Sequence, residues 1–272
     1  MNVENRLTRR FAQLRQQGET GLIIYLTAGD PSLVETPALL IEAARAGADV
    51  IELGVPFSDP SADGIVIQQA MARALVTGGA GTQTIARTLE AVRIFRRESE
   101  VPLVLFGYYN PLLQHGLPRV VEDARAAGVD GLLVVDLPAD EADELDSLAA
   151  AAHLSRVPLL APTTSPARAR TVVARASGFA YYVALTGVTG AGHLDVAEVE
   201  RRVTELRPAL GDLPLAVGFG VRDPASARAL RPYADAVVVG SALVQAIADA
   251  PDAATRLRVV HDRVAALKEA LR

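Results

Sequence analysis

VIELGVPFSDPSADG, residues Val50 to Gly64, sets an acidic side chain, Glu52, inside a short apolar run and follows it with a loop carrying Asp59 and Asp63. A carboxylate within such a run is costly unless it is paired, hydrogen-bonded or put to use. The run is strand-length, and the Gly, Pro and Ser after it read as a turn. The same arrangement returns elsewhere. "AGADVIELG", "AGVDGLLVVD" and "YADAVVVGS" each place a small residue and an aspartate before an apolar run, and a polar or glycine turn after it. Repeated strand-turn-helix units of this kind are what a parallel α/β fold requires.

Outward from that stretch, strands are expected at Leu22–Thr27, Val50–Leu53, Leu103–Gly107, Gly131–Val135, Pro158–Ala161, Ala180–Ala184, Leu215–Gly218 and Ala236–Val239. Helical patterns between them include Leu33–Ala46, Thr82–Glu98, Leu117–Ala127, Glu141–Ala152, Pro166–Ala176, Val196–Leu210 and Pro224–Leu230. Eight such units favour a closed barrel over an open doubly wound sheet. The expected fold is therefore α/β, a single (β/α)8 TIM barrel with an extra N-terminal helix, Val3–Gln17, and a C-terminal helix, Ala253–Leu271. No linker or shift of composition divides residues 1–272, so one domain is expected. A dinucleotide fold would carry its glycine fingerprint after the first strand, where "TAGDPS" stands; the later "GFGVRD" lacks the third glycine.

Composition narrows the chemistry. Half of the 272 residues are hydrophobic and 4% aromatic, which suits a core of Ala, Val and Leu. A net charge of −5 without a basic run argues against nucleic acid or a membrane surface as partner. Cysteine is absent, which removes disulfides, thiolate nucleophiles and cysteine-ligated metals. No apolar stretch reaches about 18 residues, and the polar N-terminus does not resemble a signal peptide, so a cytoplasmic location is expected. The one lysine, Lys268, lies in a polar helix-like tail, leaving no candidate for a Schiff base or a GxxxxGK phosphate loop. His115, His153, His193 and His261 are scattered without metal-ligand spacing and read as surface or loop residues.

In a barrel of this type, chemistry sits at the C-terminal ends of the strands. Those positions hold Glu52, Asp59, Asp63, Asp136 and Tyr181, the loop "TGVTGAGH" around Gly187–Gly192, and the glycines of "GFG" and "GSA". Phosphate gripped by backbone N–H groups needs close approach, hence glycine. Gly240 and Ser241 stand where a strand gives way to a helix N-terminus, and with Gly220 they match the phosphate site recurrent after strands seven and eight. The plainer reading is that the glycines only make tight turns. No arginine or lysine lies within the short glycine motifs, so the grip is expected to rest on amides and dipoles. Glu52, at an apolar barrel mouth, is the acid/base candidate, its pKa raised by desolvation; the plain alternative is a structural carboxylate capping loop amides. Asp63 is a candidate second carboxylate. Asp136 in "VDLP" rivals it by position, and Asp59 in "SDP" reads as a turn or contact residue.

"YLTAGDP", "AGADVIELGVPFSDPSADG", "YYNPLLQHG", "GFAYYVALTGVTGA", "VGFGV" and "GSALV" closely resemble, in order, the motifs of the tryptophan synthase alpha subunit family. The resemblance runs from about Phe11 to Ile247. It implies a barrel lyase that splits indole-3-glycerol phosphate into indole and glyceraldehyde 3-phosphate in tryptophan biosynthesis. It also implies a beta-subunit partner carrying pyridoxal phosphate in an α2β2 assembly, with no cofactor or metal in this chain. Residue by residue it makes Glu52 the general acid/base and Asp63 the partner of the indole N–H. Tyr25 and Tyr181 become pocket residues, Gly190, Gly220, Gly240 and Ser241 phosphate binders, and Thr189 part of a closing loop. The chain departs from the family's usual residues at Ser61, Ile65, Met71 and Ala184. Two of these flank Asp63 on the loop that touches the beta subunit in the family. Those departures keep two other readings open: a free-standing lyase of specialised metabolism, and a weakly catalytic subunit that activates a beta partner.

Overall fold

The computed structural model describes residues 3–78, 84–184, 195–218 and 220–272. Among them are nine strands: β1 (Gly21–Thr27), β2 (Val50–Gly54), β3 (Leu103–Gly107), β4 (Gly131–Val134), β5 (Ser155–Arg156), β6 (Leu159–Leu160), β7 (Ala180–Val183), β8 (Leu215–Gly218) and β9 (Ala236–Val239). All pair in parallel, in the order β5-β4-β3-β2-β1-β9-β8-β7-β6. The two outermost strands are consecutive in the chain, with only Val157 and Pro158 between them. The Val157 N–H donates to the Leu132 carbonyl on one side (3.0 Å), and the Tyr181 N–H donates to the Pro158 carbonyl on the other (2.9 Å). One extended segment thus serves both edges and closes the sheet into a barrel of eight staves. The expected fifth strand, Pro158–Ala161, is only the second half of that stave. Pro158 has no N–H to give a ladder, so the stave breaks there.

Side chains alternate across the sheet as the two-residue strand period requires. Leu22, Ile24, Leu26, Ile51, Leu53, Leu103, Leu105, Val217, Val237 and Val239 join a core between barrel and helices. Ile23, Tyr25, Val50, Val104, Phe106, Leu133, Tyr181, Ala216, Ala236 and Val238 form a second core inside the barrel. Helix α1 (Arg6–Gln17) closes the bottom of this inner core with Leu7, Phe11 and Leu14. Asn5 caps α1 in a reciprocal pair with Thr8, and its amide also reaches the Asp130 carbonyl (2.8 Å) and Ser155 Oγ (3.1 Å). The cap therefore fixes the helix to the barrel floor as well as starting it.

The recurring aspartate has a structural purpose on that floor. Each precedes a strand and accepts an N–H from the start of another strand: Leu22 N–H to Asp49 (2.6 Å), Leu103 N–H to Asp130 (2.9 Å), Leu215 N–H to Asp235 (2.7 Å). Each also pairs with cations from the helices: Arg10 and Lys268 with Asp49, Arg6 and Arg96 with Asp130, Arg207 with Asp235. Lys268 is thus a buried partner of Asp49 (2.9 Å) rather than part of a solvated tail.

The outer helices are α2 (Thr36–Arg45), α3 (Ile65–Gly78), α4 (Thr84–Arg96), α5 (Tyr109–His115), α6 (Leu117–Ala127), α7 (Asp143–Ala151), α8 (Pro166–Val173), α9 (Val196–Leu210), α10 (Pro224–Leu230), α11 (Ser241–Asp249) and α12 (Ala253–Leu271). Three of them, α3, α5 and α11, were absent from the helical patterns picked out of the sequence. The segment forming α3 is apolar on most sides and shows little stripe, and α5 and α11 are short. Helix α3 follows the Asp63 loop directly and is tied to the loop after β1 by a bidentate Arg73–Asp30 pair, both contacts 2.8 Å.

Candidate active site

Glu52 points into the barrel from β2, beside Tyr25 in the register of β1. It is 1% exposed, and neither carboxylate oxygen has a hydrogen-bond partner among the described residues. Burial with no compensating charge raises its pKa from 4.5 to about 8, so the group is protonated near neutrality. A buried acid left without a partner is a candidate for work on a ligand. Among the described residues no loop amide reaches it, which gives the capping alternative no support.

Asp63 arrives from the loop between β2 and α3. Tyr108, just after β3, holds it by donating its hydroxyl to Asp63 Oδ2 (2.7 Å) while accepting the Ala62 N–H (3.1 Å). The Tyr108 ring lies against Phe57 of the same loop, centroids 5.0 Å apart. Burial raises the Asp63 pKa, and the Tyr108 hydrogen bond opposes that rise. The two carboxyls therefore differ: Glu52 sits in an apolar, unpartnered place and Asp63 in a hydrogen-bonded one. Nothing in the sequence linked Tyr108 to this loop. Asp136, the positional rival, accepts the Tyr109 N–H at the start of α5 (2.7 Å) and lines a neighbouring cavity instead. Asp59 is exposed, as expected of a turn residue.

A cavity of about 550 Å³ joins these groups, lined by Glu52, Asp63, Tyr25, Tyr181, Gly220, Gly240 and Ser241 together with Phe106, Leu159, Val183 and others. Seven of the nine residues given site roles by the family resemblance therefore share one space; the other two, Thr189 and Gly190, lie outside the described residues. Tyr25 and Tyr181 are buried, which holds their hydroxyls protonated; the next largest cause is Asp63 for Tyr25 and Glu52 for Tyr181. Each tyrosine needs a glycine on the next strand. A Cβ at Gly54 would collide with the Tyr25 hydroxyl, and one at Gly218 with that of Tyr181. Both glycines stand two residues beyond the tyrosine's register partner, Glu52 in one case and Ala216 in the other.

At the far side of the cavity, Gly240 precedes α11 with no side-chain cap. The N–H groups of Ser241 and Ala242 have no partner among the described residues, so a nine-residue helix presents free donors and its positive end to the space. Gly220 sits at φ +79°, a left-handed conformation that favours glycine. Arg222 and Arg263 also line the cavity, so cations border the site although none lies within the short glycine motifs. Among the described residues, no group of three or more His, Cys, Asp or Glu is arranged to hold a metal ion, and no helix is long and apolar enough to cross a membrane.

The family model for the tryptophan synthase alpha chain matches residues 11–272. The chain is 48% identical over 268 residues to a tryptophan synthase alpha chain of Xylella fastidiosa strain M12, covering 98% of each. It is 51% identical over 253 residues to one from Laribacter hongkongensis, covering 91% of this chain and 94% of that one. Among solved structures, tryptophan synthase subunit alpha from Legionella pneumophila superposes with a TM-score of 0.89 at 36% identity, covering 98% of both chains. A chain in a structure of tryptophan synthase from M. tuberculosis gives 0.86 at 32%, covering 99% of both.

Proposed function

Since the chain belongs to the tryptophan synthase alpha chain family, we propose that Glu52 and Asp63 divide the proton and charge chemistry of its reaction. The family's reaction is a carbon–carbon lyase step: retro-aldol cleavage of indole-3-glycerol phosphate to indole and glyceraldehyde 3-phosphate, in tryptophan biosynthesis. The two alternative readings, a free-standing lyase and a weakly catalytic activator, are not favoured by the two relatives described above, both named as alpha chains.

A retro-aldol cleavage needs somewhere for the electrons of the breaking bond to go. Protonating the indole ring at C3 creates that sink within the substrate, as a cationic C=N. Glu52, neutral near pH 7 through its raised pKa, gives this proton. Asp63, held by Tyr108, accepts the indole N–H and offsets the positive charge as it forms. The ionised Glu52 then takes the proton of the hydroxyl on the carbon attached to C3. That carbon becomes the aldehyde, its bond to C3 breaks, and the electron pair neutralises the ring nitrogen. Glu52 ends protonated, as it began. Tyr25 and Tyr181 wall the pocket, while the amides of Gly220, Gly240 and Ser241 hold the phosphate; Thr189 and Gly190 are assigned to the same substrate through the family resemblance. The observation that carries the reading is the fully buried, unpartnered Glu52 facing a cavity whose other side is an uncapped helix N-terminus.

The family implies a beta-subunit partner. An α2β2 assembly, with pyridoxal phosphate in the beta chain and no cofactor here, is the arrangement we adopt. Residues 1–272 are read as one barrel unit, on the support of a parallel sheet running from β1 to β9, and the location as cytoplasmic. The test measures indole released from indole-3-glycerol phosphate, with and without a beta subunit. We expect turnover that the partner stimulates. Undiminished turnover by Asp63→Asn in that complex would overturn the assigned roles.

A further inference from the structure

The active-site cavity is electrically polarised. Its two carboxyls, Glu52 and Asp63, come from β2 and the loop after it. Its two arginines come from other elements: Arg222 lies two residues beyond Gly220, after β8, and Arg263 lies on α12. In the order of the sheet, β8 is three strands from β2. Arg222 and Arg263 also line a second cavity, of about 300 Å³, that shares Ala242 with the first. Both arginines thus border both spaces, as does Ala242 in the first turn of α11.

Most arginines of this chain are paired, but these two make no ion pair or side-chain hydrogen bond with a described residue. Of the nearby acids, Asp223 adjoins Arg222 in the chain and interacts with its charge. Asp223 spends its carboxylate on the Ser226 N–H at the start of α10, and Asp262 lines only the smaller cavity. Two uncommitted guanidinium groups beside free helix amides are suited to a phosphate dianion, for which arginine offers charge and a planar set of donors.

We propose that Arg222 and Arg263 are substrate-binding residues that meet the phosphate of indole-3-glycerol phosphate, adding charge to the grip supplied by the amides of Gly220, Gly240 and Ser241. This rests on placing the phosphate at that side of the cavity. Both arginines are exposed, so their contribution is screened by salt and partly long-range, drawing the anionic substrate toward the mouth.

The test uses the full chain with Arg222→Gln, Arg263→Gln, the double variant, and the matching lysine substitutions. Calorimetry measures binding of glyceraldehyde 3-phosphate and, separately, of indole; steady-state assays with the beta subunit give KM and kcat. Each glutamine should weaken the phosphate ligand about 2- to 5-fold, the upper part of the range for an exposed charge pair. The double variant should lose about 4- to 25-fold, with indole binding unchanged, the loss falling on KM rather than kcat. Lysine should restore part of it, and the rise of KM with added salt should flatten in the double variant. The proposal is overturned if the double variant binds glyceraldehyde 3-phosphate within twofold of the parent, or loses indole binding equally. Normal indole release by such an unaffected double variant would remove this proposal alone. Arginine-dependent phosphate binding in a chain that releases no indole would instead remove the assigned reaction.

Discussion

Consider Glu52→Gln, which removes one proton-binding site and leaves the shape of the cavity. The Glu52 carboxyl has a pKa of about 8 in the fold against 4.5 for the free side chain, through burial alone. Below pH 4.5 it is neutral in both the folded and unfolded chain and costs nothing extra. Between pH 4.5 and 8 the folded chain keeps a proton that unfolding releases, so each pH unit lowers stability by about 1.4 kcal/mol. The full penalty, reached above pH 8, is about 5 kcal/mol, large against the 5–15 kcal/mol of a typical domain. Glutamine does not titrate. It leaves its amide unsatisfied at every pH, at about 1–3 kcal/mol. Whatever that fixed cost, the variant should gain about 3 kcal/mol on the parent between pH 5.5 and pH 8.5. Urea unfolding followed by tyrosine fluorescence, which no tryptophan obscures in this chain, measures both at each pH. All other titrating groups cancel in the comparison. A stability difference constant to within about 1 kcal/mol between those pH values would refute the raised pKa. In the lyase assay the same substitution should cost about 10²–10⁴ in kcat, the worth of general acid–base catalysis, and leave glyceraldehyde 3-phosphate binding intact.

Two further perturbations probe the groups around it. Tyr108→Phe removes the hydroxyl that lowers the Asp63 pKa and anchors Ala62. Losing a bond to a charged group, about 1.5–3 kcal/mol, should cut kcat/KM by roughly 10- to 150-fold. It should also move the acid limb of the pH–rate profile upward; an unmoved limb would show that Tyr108 does not control Asp63. Gly218→Ala forces the Tyr181 hydroxyl out of its place, and overpacking of this kind costs about 1–3 kcal/mol. A lower urea midpoint with a raised KM is expected, and unchanged values for both would mean that Tyr181 has room to move.

Much of this was legible in sequence because the signals were local. The short apolar runs of β1 to β4 and the carboxylate inside one of them could each be read within ten residues. The aspartates of the floor were visible as an echo, but their purpose was not, since the N–H that Asp49 accepts belongs to Leu22, on a strand 27 residues earlier. Tyr108 reaches Asp63 across 45 residues, a pairing created by β2 and β3 lying side by side. Arg263 sits in a helix whose polar residues resemble an ordinary solvated face, and only the packing of α12 beside α11 turns it toward the cavity. The break in the fifth stave was marked by Pro158; that the halves pair with different neighbours was not.

The tyrosine–glycine pairs across β1–β2 and β7–β8 also restrict the order in which relatives of this chain can diverge. With Tyr25 or Tyr181 in place, Gly54 or Gly218 cannot acquire a side chain without a clash. With the tyrosine first replaced by a smaller residue, the glycine becomes free to vary. Each pair is then a one-way gate in mutational history: the large partner must shrink before the small one grows. A lineage that keeps both tyrosines in its substrate pocket has its two glycines fixed by the same choice.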